Sequence, residues 1–486
     1  MCSKIYFNGI NAATGTRLFP PMSPESAVSW LTEALQCELR ETQDALHKIW
    51  EIGRPALGTI AGIDPESVEE AKWGVIFHPD TPKEVREALA DLIAHRHGRT
   101  LEYKPNESPY KFRRRHDQGP GVVNPDKLPY YLLIVGPPTQ IPFHFQYGLD
   151  SEHAVGRLCF DKPEDYRTYA KNVCDYEGAT GPLTRERRVA FFSPENPGDA
   201  ATSNSALYLA TPLAHALNGK ALKTKDNTQI SYCTEHITGA AAKKKVLREL
   251  FTRTTQQPTL LFTATHGMWF PKGHPGQEQD QGALACSEWT EPDARAASYP
   301  VPDSMYFAGR HLPNVRLDGL IVFAFACYSA GTPHLDDFAH LTRRVPAELA
   351  PRPFVAQLPQ RLLAQGALAF VGHVDQAWGF SFLWQGIGKN IETFQSTLET
   401  VLKGVPVGCA FEYFNRRYLD LNEQLTSSNG GLLSLYEVGD ADIADLVDVW
   451  TARNDARAYV LFGDPAVRLR PERMPTGPSI VPSGGG

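Results

Sequence analysis

Five unbroken apolar runs of strand length constrain this chain more than any other feature. They are YYLLIVG (130–136), RVAFFS (188–193), TLLFTAT (259–265), LIVFAFA (320–326) and ALAFVG (367–372). A strand with one face in water alternates apolar and polar residues. These runs do not alternate, which suits strands covered on both faces. Helical patterns lie between several of them, at 163–177, 207–217, 239–253 and 354–365. Strand and helix alternating in this way predict an α/β domain, a mostly parallel sheet flanked by helices. It should occupy about residues 126–475, with possible subdomains at 126–183 and 184–475.

Residues 1–125 read as an additional N-terminal α+β region. Apolar residues recur at helical spacing in 23–50 and again in 81–97, where Thr81 and Pro82 suit the N-cap and first helical position. Between these patterns WGVIFHP (73–79) reads as a short strand. The stretch 111–127 is polar with Gly and Pro, as in a linker or mobile loop, and its Arg113–Arg115 run should face solvent. The tail 476–486, rich in Gly, Pro and Ser, is expected to be disordered.

Composition excludes several function classes. The formal charge is −7, with 21% charged and 42% hydrophobic residues, a balance that argues against direct nucleic-acid or membrane binding. The first residues lack the apolar core of a signal peptide, and no apolar stretch reaches the ~18 residues of a membrane span. The eight cysteines form no CxxC pair, so they are expected to be reduced thiols in a cytoplasm. No HExxH, Walker loop or strand-linked GxGxxG is present, so neither a metal nor another cofactor is expected.

Chemistry in open α/β sheets gathers beyond the carboxyl ends of strands, where side chains are free of sheet pairing. Two reactive residues stand at such ends. TLLFTAT stops at His266-Gly267, and LIVFAFA stops at Cys327. If the two strands are neighbours, imidazole and thiol emerge on one edge. A thiol attacks as its thiolate, and a nearby imidazole raises that fraction. Gly267 has no side chain, so its N–H, with that of Cys327, is a candidate oxyanion hole. Gly331 should keep the chain open just past the nucleophile. Taken singly, a Cys closing a buried strand or a His-Gly turn is usually structural; the two together point to catalysis.

LLFTATHG (260–267) and IVFAFAC (321–327) resemble the paired signatures of caspase-type cysteine peptidases, and more narrowly their gingipain-like and CHAT branches. Further blocks are similar in order: YYLLIVGPPTQIPFHFQYGLD (130–150), HAVGRLCFDKPEDYRTYAKNVCDYE (153–177), QGALACSEW (281–289), ACYSAGTP (326–333), GALAFVGHVDQAWGFSF (366–382) and YVLFGDPAVRLR (459–470). The resemblance implies a caspase–hemoglobinase fold, with a Gly-Arg strand near 156 and a closing strand near 460. It also implies an endopeptidase in which Cys327 attacks a peptide carbonyl and His266 protonates the leaving amine. No third triad member is required.

Asp375 is a candidate for the pocket that takes the residue before the cleaved bond, where a carboxylate favours Arg or Lys; a loop cap or structural ion pair is the alternative. Trp378 is a pocket wall or core, and Asp199 a weaker substrate contact. His373 is expected to support the site. The Gly- and Pro-rich stretch 270–316 is expected to gate the cleft or be cut during activation. Partners are then a protein or peptide substrate and an activating protein, in bacterial signalling or defence. Two other readings stay open: a catalytically silent caspase-like scaffold, and a Cys–His amidase or acyltransferase acting on a small amide.

Overall fold

The structure, a computed structural model, describes residues 8–18, 58–291, 300–336, 348–384, 388–427, 431–432, 435 and 443–476. The helical pattern at 23–50, residues 477–486 of the tail, and residues 292–299 of the long loop lie outside the described residues.

Ten strands form one sheet: β1 (Trp73–Phe77), β2 (Arg99–Glu102), β3 (Tyr131–Val135), β4 (Ala154–Leu158), β5 (Glu186–Ser193), β6 (Cys233–Thr238), β7 (Pro258–Ala264), β8 (Ile321–Phe325), β9 (Ala369–His373) and β10 (Tyr459–Gly463). Their order across the sheet is β2-β1-β3-β4-β10-β9-β8-β7-β5-β6. Every neighbouring pair is parallel except β9–β10, which runs antiparallel from Ala369↔Gly463 to His373↔Tyr459. Two parallel blocks of opposite direction therefore meet at the last strand of the chain.

Burial explains why the apolar runs are continuous. Every residue of β1, β3, β4, β7, β8, β9 and β10 is buried. Alternate residues of β1 and β3 feed separate cores: Val75, Phe77, Tyr131 and Leu133 go to one, Ile76, Leu132 and Ile134 to the other. Leu89, Leu92, Tyr169 and Val173 close the first face, and Phe112, Phe145 and Leu149 the second. Helices thus cover the sheet on both sides, as the absence of alternation predicts.

The expected division at residue 125 falls inside this sheet, because β1 pairs with β3 from Trp73↔Tyr131 to Phe77↔Val135. Asp464, just past β10, ties the same region down by accepting from Trp73 Nε1 and Arg96 Nε, each at 2.8 Å.

Three local expectations need correction. The pattern at 81–97 is two helices, Lys83–Ala88 and Ala90–His95, and the cap position falls on Pro82 rather than Thr81. The stretch 111–127 is not all linker, since Pro109–Arg115 is a helix whose N-cap Ser108 accepts from Lys111 N–H. Nor does the whole arginine run face water. Arg113 is buried and paired with Glu152 at 2.5 Å, while Arg115 meets Glu107 at 2.7 Å. Single carboxylate partners, invisible to local pattern, draw them inward.

Candidate active site

Strands β7 and β8 are adjacent and in register from Leu260↔Ile321 to Ala264↔Phe325, so the residues that follow them share one edge. His266 and Cys327 both emerge there, fully buried. The two chain segments touch. A Cβ on Gly267 would lie 1.7 Å from the Cys327 carbonyl oxygen and 2.8 Å from its nitrogen, so only glycine fits after the histidine. Gly282 is held in the same way against the Tyr328 carbonyl, 2.0 Å from an added Cβ.

The turn beyond Cys327 is strained. Tyr328 is buried at φ 57°, a left-handed conformation that costs a bulky residue about 1–2 kcal/mol. The loop after β9 holds it there. Tyr328 N–H donates to the Asp375 carbonyl at 2.8 Å, Ala330 N–H to the His373 carbonyl at 2.8 Å, and His373 N–H to Ser329 Oγ at 3.2 Å. Gly331 is not there to leave space. It pairs with Val355, and a Cβ would stand 2.7 Å from the Phe354 carbonyl oxygen and 2.9 Å from the Phe143 ring.

His266 is fixed at both nitrogens. Nε2 lies 2.7 Å from Asp199 Oδ2, and Nδ1 accepts the Gly9 N–H at 2.7 Å. With Nδ1 accepting, the neutral ring carries its proton on Nε2 and donates to the carboxylate. Trp289 packs edge-on against the imidazole, with centroids 5.4 Å apart. Asp199, expected as a substrate contact, is instead buried against the histidine at the N-cap of Ala200–Ser205. Its carboxylate accepts from the N–H groups of Ala201 and Thr202 and from Thr202 Oγ1 at 2.6 Å. Burial works to raise this carboxyl. Its electrostatic interaction and hydrogen bond with the His266 ring, with the Thr202 bonds, outweigh burial and hold it well below the usual carboxylate range.

The thiol is in the opposite condition. Burial, aided by the charges of Asp375 and Asp455, pushes Cys327 far above the ordinary thiol range, although Ala377 N–H donates to Sγ at 3.1 Å. The neutral thiol donates to the Asn8 carbonyl at 2.8 Å. The Asn8–Gly9 peptide unit thus stands between the two groups, its carbonyl at Cys327 and its N–H at His266.

The other predicted positions lie close by. Asp375 is buried, with Oδ1 accepting Gln376 N–H at 2.8 Å. Trp378 is buried, and its N–H donates to Asp455 Oδ1 at 2.9 Å. His373 Nε2 lies 3.3 Å from the same oxygen, and Ser381 Oγ donates to Asp455 Oδ2 at 2.5 Å. Asp455 was not singled out in the sequence. It sits in the last turn of the helix Ile443–Ala458, and no local pattern marks it as a hub. The short strand at Leu284–Ala285, within 281–289, pairs antiparallel with Tyr306–Phe307. Among the described residues, no group of three His, Cys, Asp or Glu side chains is placed to hold a metal, and no helix is long and apolar enough to cross a membrane.

No protein-family profile matches this chain, and no curated protein matches it. Among solved structures it is similar to the complex of RgpB pro- and mature domains from Porphyromonas gingivalis. That match has 13% identity and a TM-score of 0.43, over 82% of this chain and 80% of that one. A structure named only as a protease matches at 12% identity and a TM-score of 0.45, over 82% and 78% of the two chains. The separase–securin complex of Saccharomyces cerevisiae matches at 10% identity and a TM-score of 0.31, over 69% of this chain and 15% of that one.

Proposed function

We propose that this chain is a cysteine endopeptidase of the caspase–gingipain type. The observation that carries the reading is that a thiol and an imidazole, delivered by adjacent strands, address the two ends of one peptide unit. Cys327 is the nucleophile. His266 takes the thiol proton and passes it to the leaving amine, and Asp199 is a positioning residue that keeps the ring in the required tautomer. The N–H groups of Gly267 and Cys327 form the oxyanion hole, an arrangement supported by the close packing of their backbones. The carboxylates of Asp375 and Asp455 near the thiol oppose its ionisation, which suits a resting state that a protein partner or substrate must convert. Asp375 and Trp378 remain the candidates for the pocket that takes the residue before the cleaved bond.

The test is a fluorogenic peptide library, varied on both sides of the cleaved bond, given to the protein and to Cys327→Ala. Cleavage should occur and fall at least about a thousandfold in the variant, the loss expected when a covalent nucleophile is removed. A preference for Arg or Lys before the bond supports Asp375, and an apolar preference supports Trp378. If peptides stay intact and a thiol-reactive peptide probe leaves Cys327 unlabelled, the peptidase reading fails and the silent scaffold stands.

A further inference from the structure

We propose that Cys327 cuts this chain itself between Asn8 and Gly9, an inference that rests on the peptidase reading above. The segment is seated by its own bonds. Ile10 and Asn11 pair in parallel with Met268 and Trp269, directly after His266-Gly267. Ile10 N–H donates to the Gly267 carbonyl at 3.2 Å, and Ala12 N–H to the Trp269 carbonyl at 2.8 Å. The chain then turns back, with Asn11 N–H to the Thr16 carbonyl at 2.8 Å and Leu18 N–H to the Gly9 carbonyl at 3.0 Å. Trp289, which packs on His266, donates to the Gly15 carbonyl at 3.1 Å, and Arg17 lies 3.7 Å from Asp199 and 2.6 Å from Glu291. Side chains that hold the histidine therefore also hold the segment.

This seating delivers one particular bond. Asn8, with its side chain enclosed, precedes it, and Gly9 follows. Gly9 has φ +123°, which L side chains rarely adopt, and an added Cβ would stand 3.4 Å from Cys327 Sγ and 2.6 Å from Leu18 Cδ1. The substrate class is accordingly a peptide with glycine immediately after the cleaved bond.

The chemistry balances with water as the only co-reactant. The thiol proton passes to His266 Nδ1 as Sγ bonds to the Asn8 carbonyl carbon. In the resting geometry the Gly9 N–H occupies the one Nδ1 lone pair, so the peptide plane turns before either transfer: it frees Nδ1 for the thiol proton and aims the nitrogen lone pair at Nδ1–H. The C–N bond then breaks, leaving a free α-amine on Gly9 and Asn8 as a thioester on Cys327. Water adds to the thioester; its hydroxyl stays on Asn8 as the carboxyl group, and its other proton returns to sulfur as the C–S bond breaks.

The experiment follows intact mass and N-terminal sequence of the full chain, Cys327→Ala and Gly9→Ala over time, with melting curves to show that each is folded. The wild type should lose the segment ending at Asn8 and expose Gly9, and Cys327→Ala should stay whole. Gly9→Ala should be cut about tenfold or more slowly, because alanine is strained at this φ. Equal loss in Cys327→Ala would mark spontaneous Asn-Gly rearrangement and overturn the proposal. A wild type that stays whole yet cleaves library peptides overturns self-cleavage and leaves the peptidase; one that stays whole, leaves the peptides intact and is not labelled at Cys327 by the thiol-reactive probe overturns both. Gly9→Ala cut at the wild-type rate removes the glycine requirement.

Discussion

Asp199 shows what one side chain decides here. Its carboxylate meets His266 Nε2 at 2.7 Å and caps a helix with the same group. Asp199→Asn should lower kcat on peptides about a hundredfold with little change in KM, because an amide no longer selects the Nε2–H tautomer. The same substitution has a pH signature. A carboxyl held below its ordinary value contributes stability that is present above about pH 4 and is lost as pH falls through the depressed value. The Tm difference between wild type and Asp199→Asn should therefore shrink in acid. In the sequence, His266 and Cys327 could be found because each ends a continuous apolar run. Asp199 stands out as an acidic residue after a turn, but its contact with His266 is not legible there. Nothing local says which imidazole a distant carboxylate will reach.

Among the elements, the helix Ile443–Ala458 does more than cover the sheet. Asp455 binds His373, the Trp378 N–H and Ser381 Oγ, and so ties this helix to the loop that braces the nucleophile turn. Asp455→Ala should cost about 3 kcal/mol in chemical denaturation, the range for leaving buried polar partners unsatisfied. About two turns before it, Asp448 is pushed up to about 7 by burial and by the charge of Asp445. A raised carboxyl favours the fold fully below its unfolded value of about 3.9, and that advantage is lost as pH rises through its folded value. Asp448→Asn should accordingly raise Tm at pH 8 by about 2 °C or more, and change it little or lower it at pH 4. The elements found from sequence were those with continuous runs. Strands β2 and β6 gave no such run. They are the sheet edges, where RTLE exposes all but Leu101 and CTEHIT is half-buried throughout.

Across the whole molecule, the last strand closes the sheet. β10 pairs along its length with β9 in the antiparallel sense and meets β4 in the parallel sense at Phe462↔Arg157. Arg157, fully buried beside this junction, donates to the carbonyls of Gly136 and Ile141 and to Gln146. A chain ending at Ala458 would leave β4 and β9 as two long apolar edges in mid-sheet. It should aggregate on expression, or refold without a single cooperative transition in size-exclusion and melting experiments.

The sequence by itself determined the class of fold, the central strands and the placing of His266 and Cys327 at strand ends, because burial on both faces and position at a strand end are written in consecutive residues. Only the tertiary structure decided that β1 and β2 join the same sheet, that Asp199 meets His266, and that burial works against ionisation of the thiol. It alone places the Asn8–Gly9 unit between thiol and imidazole. Each of these depends on groups distant along the chain meeting in a space where water is excluded. There a single carboxylate or carbonyl outweighs local propensity.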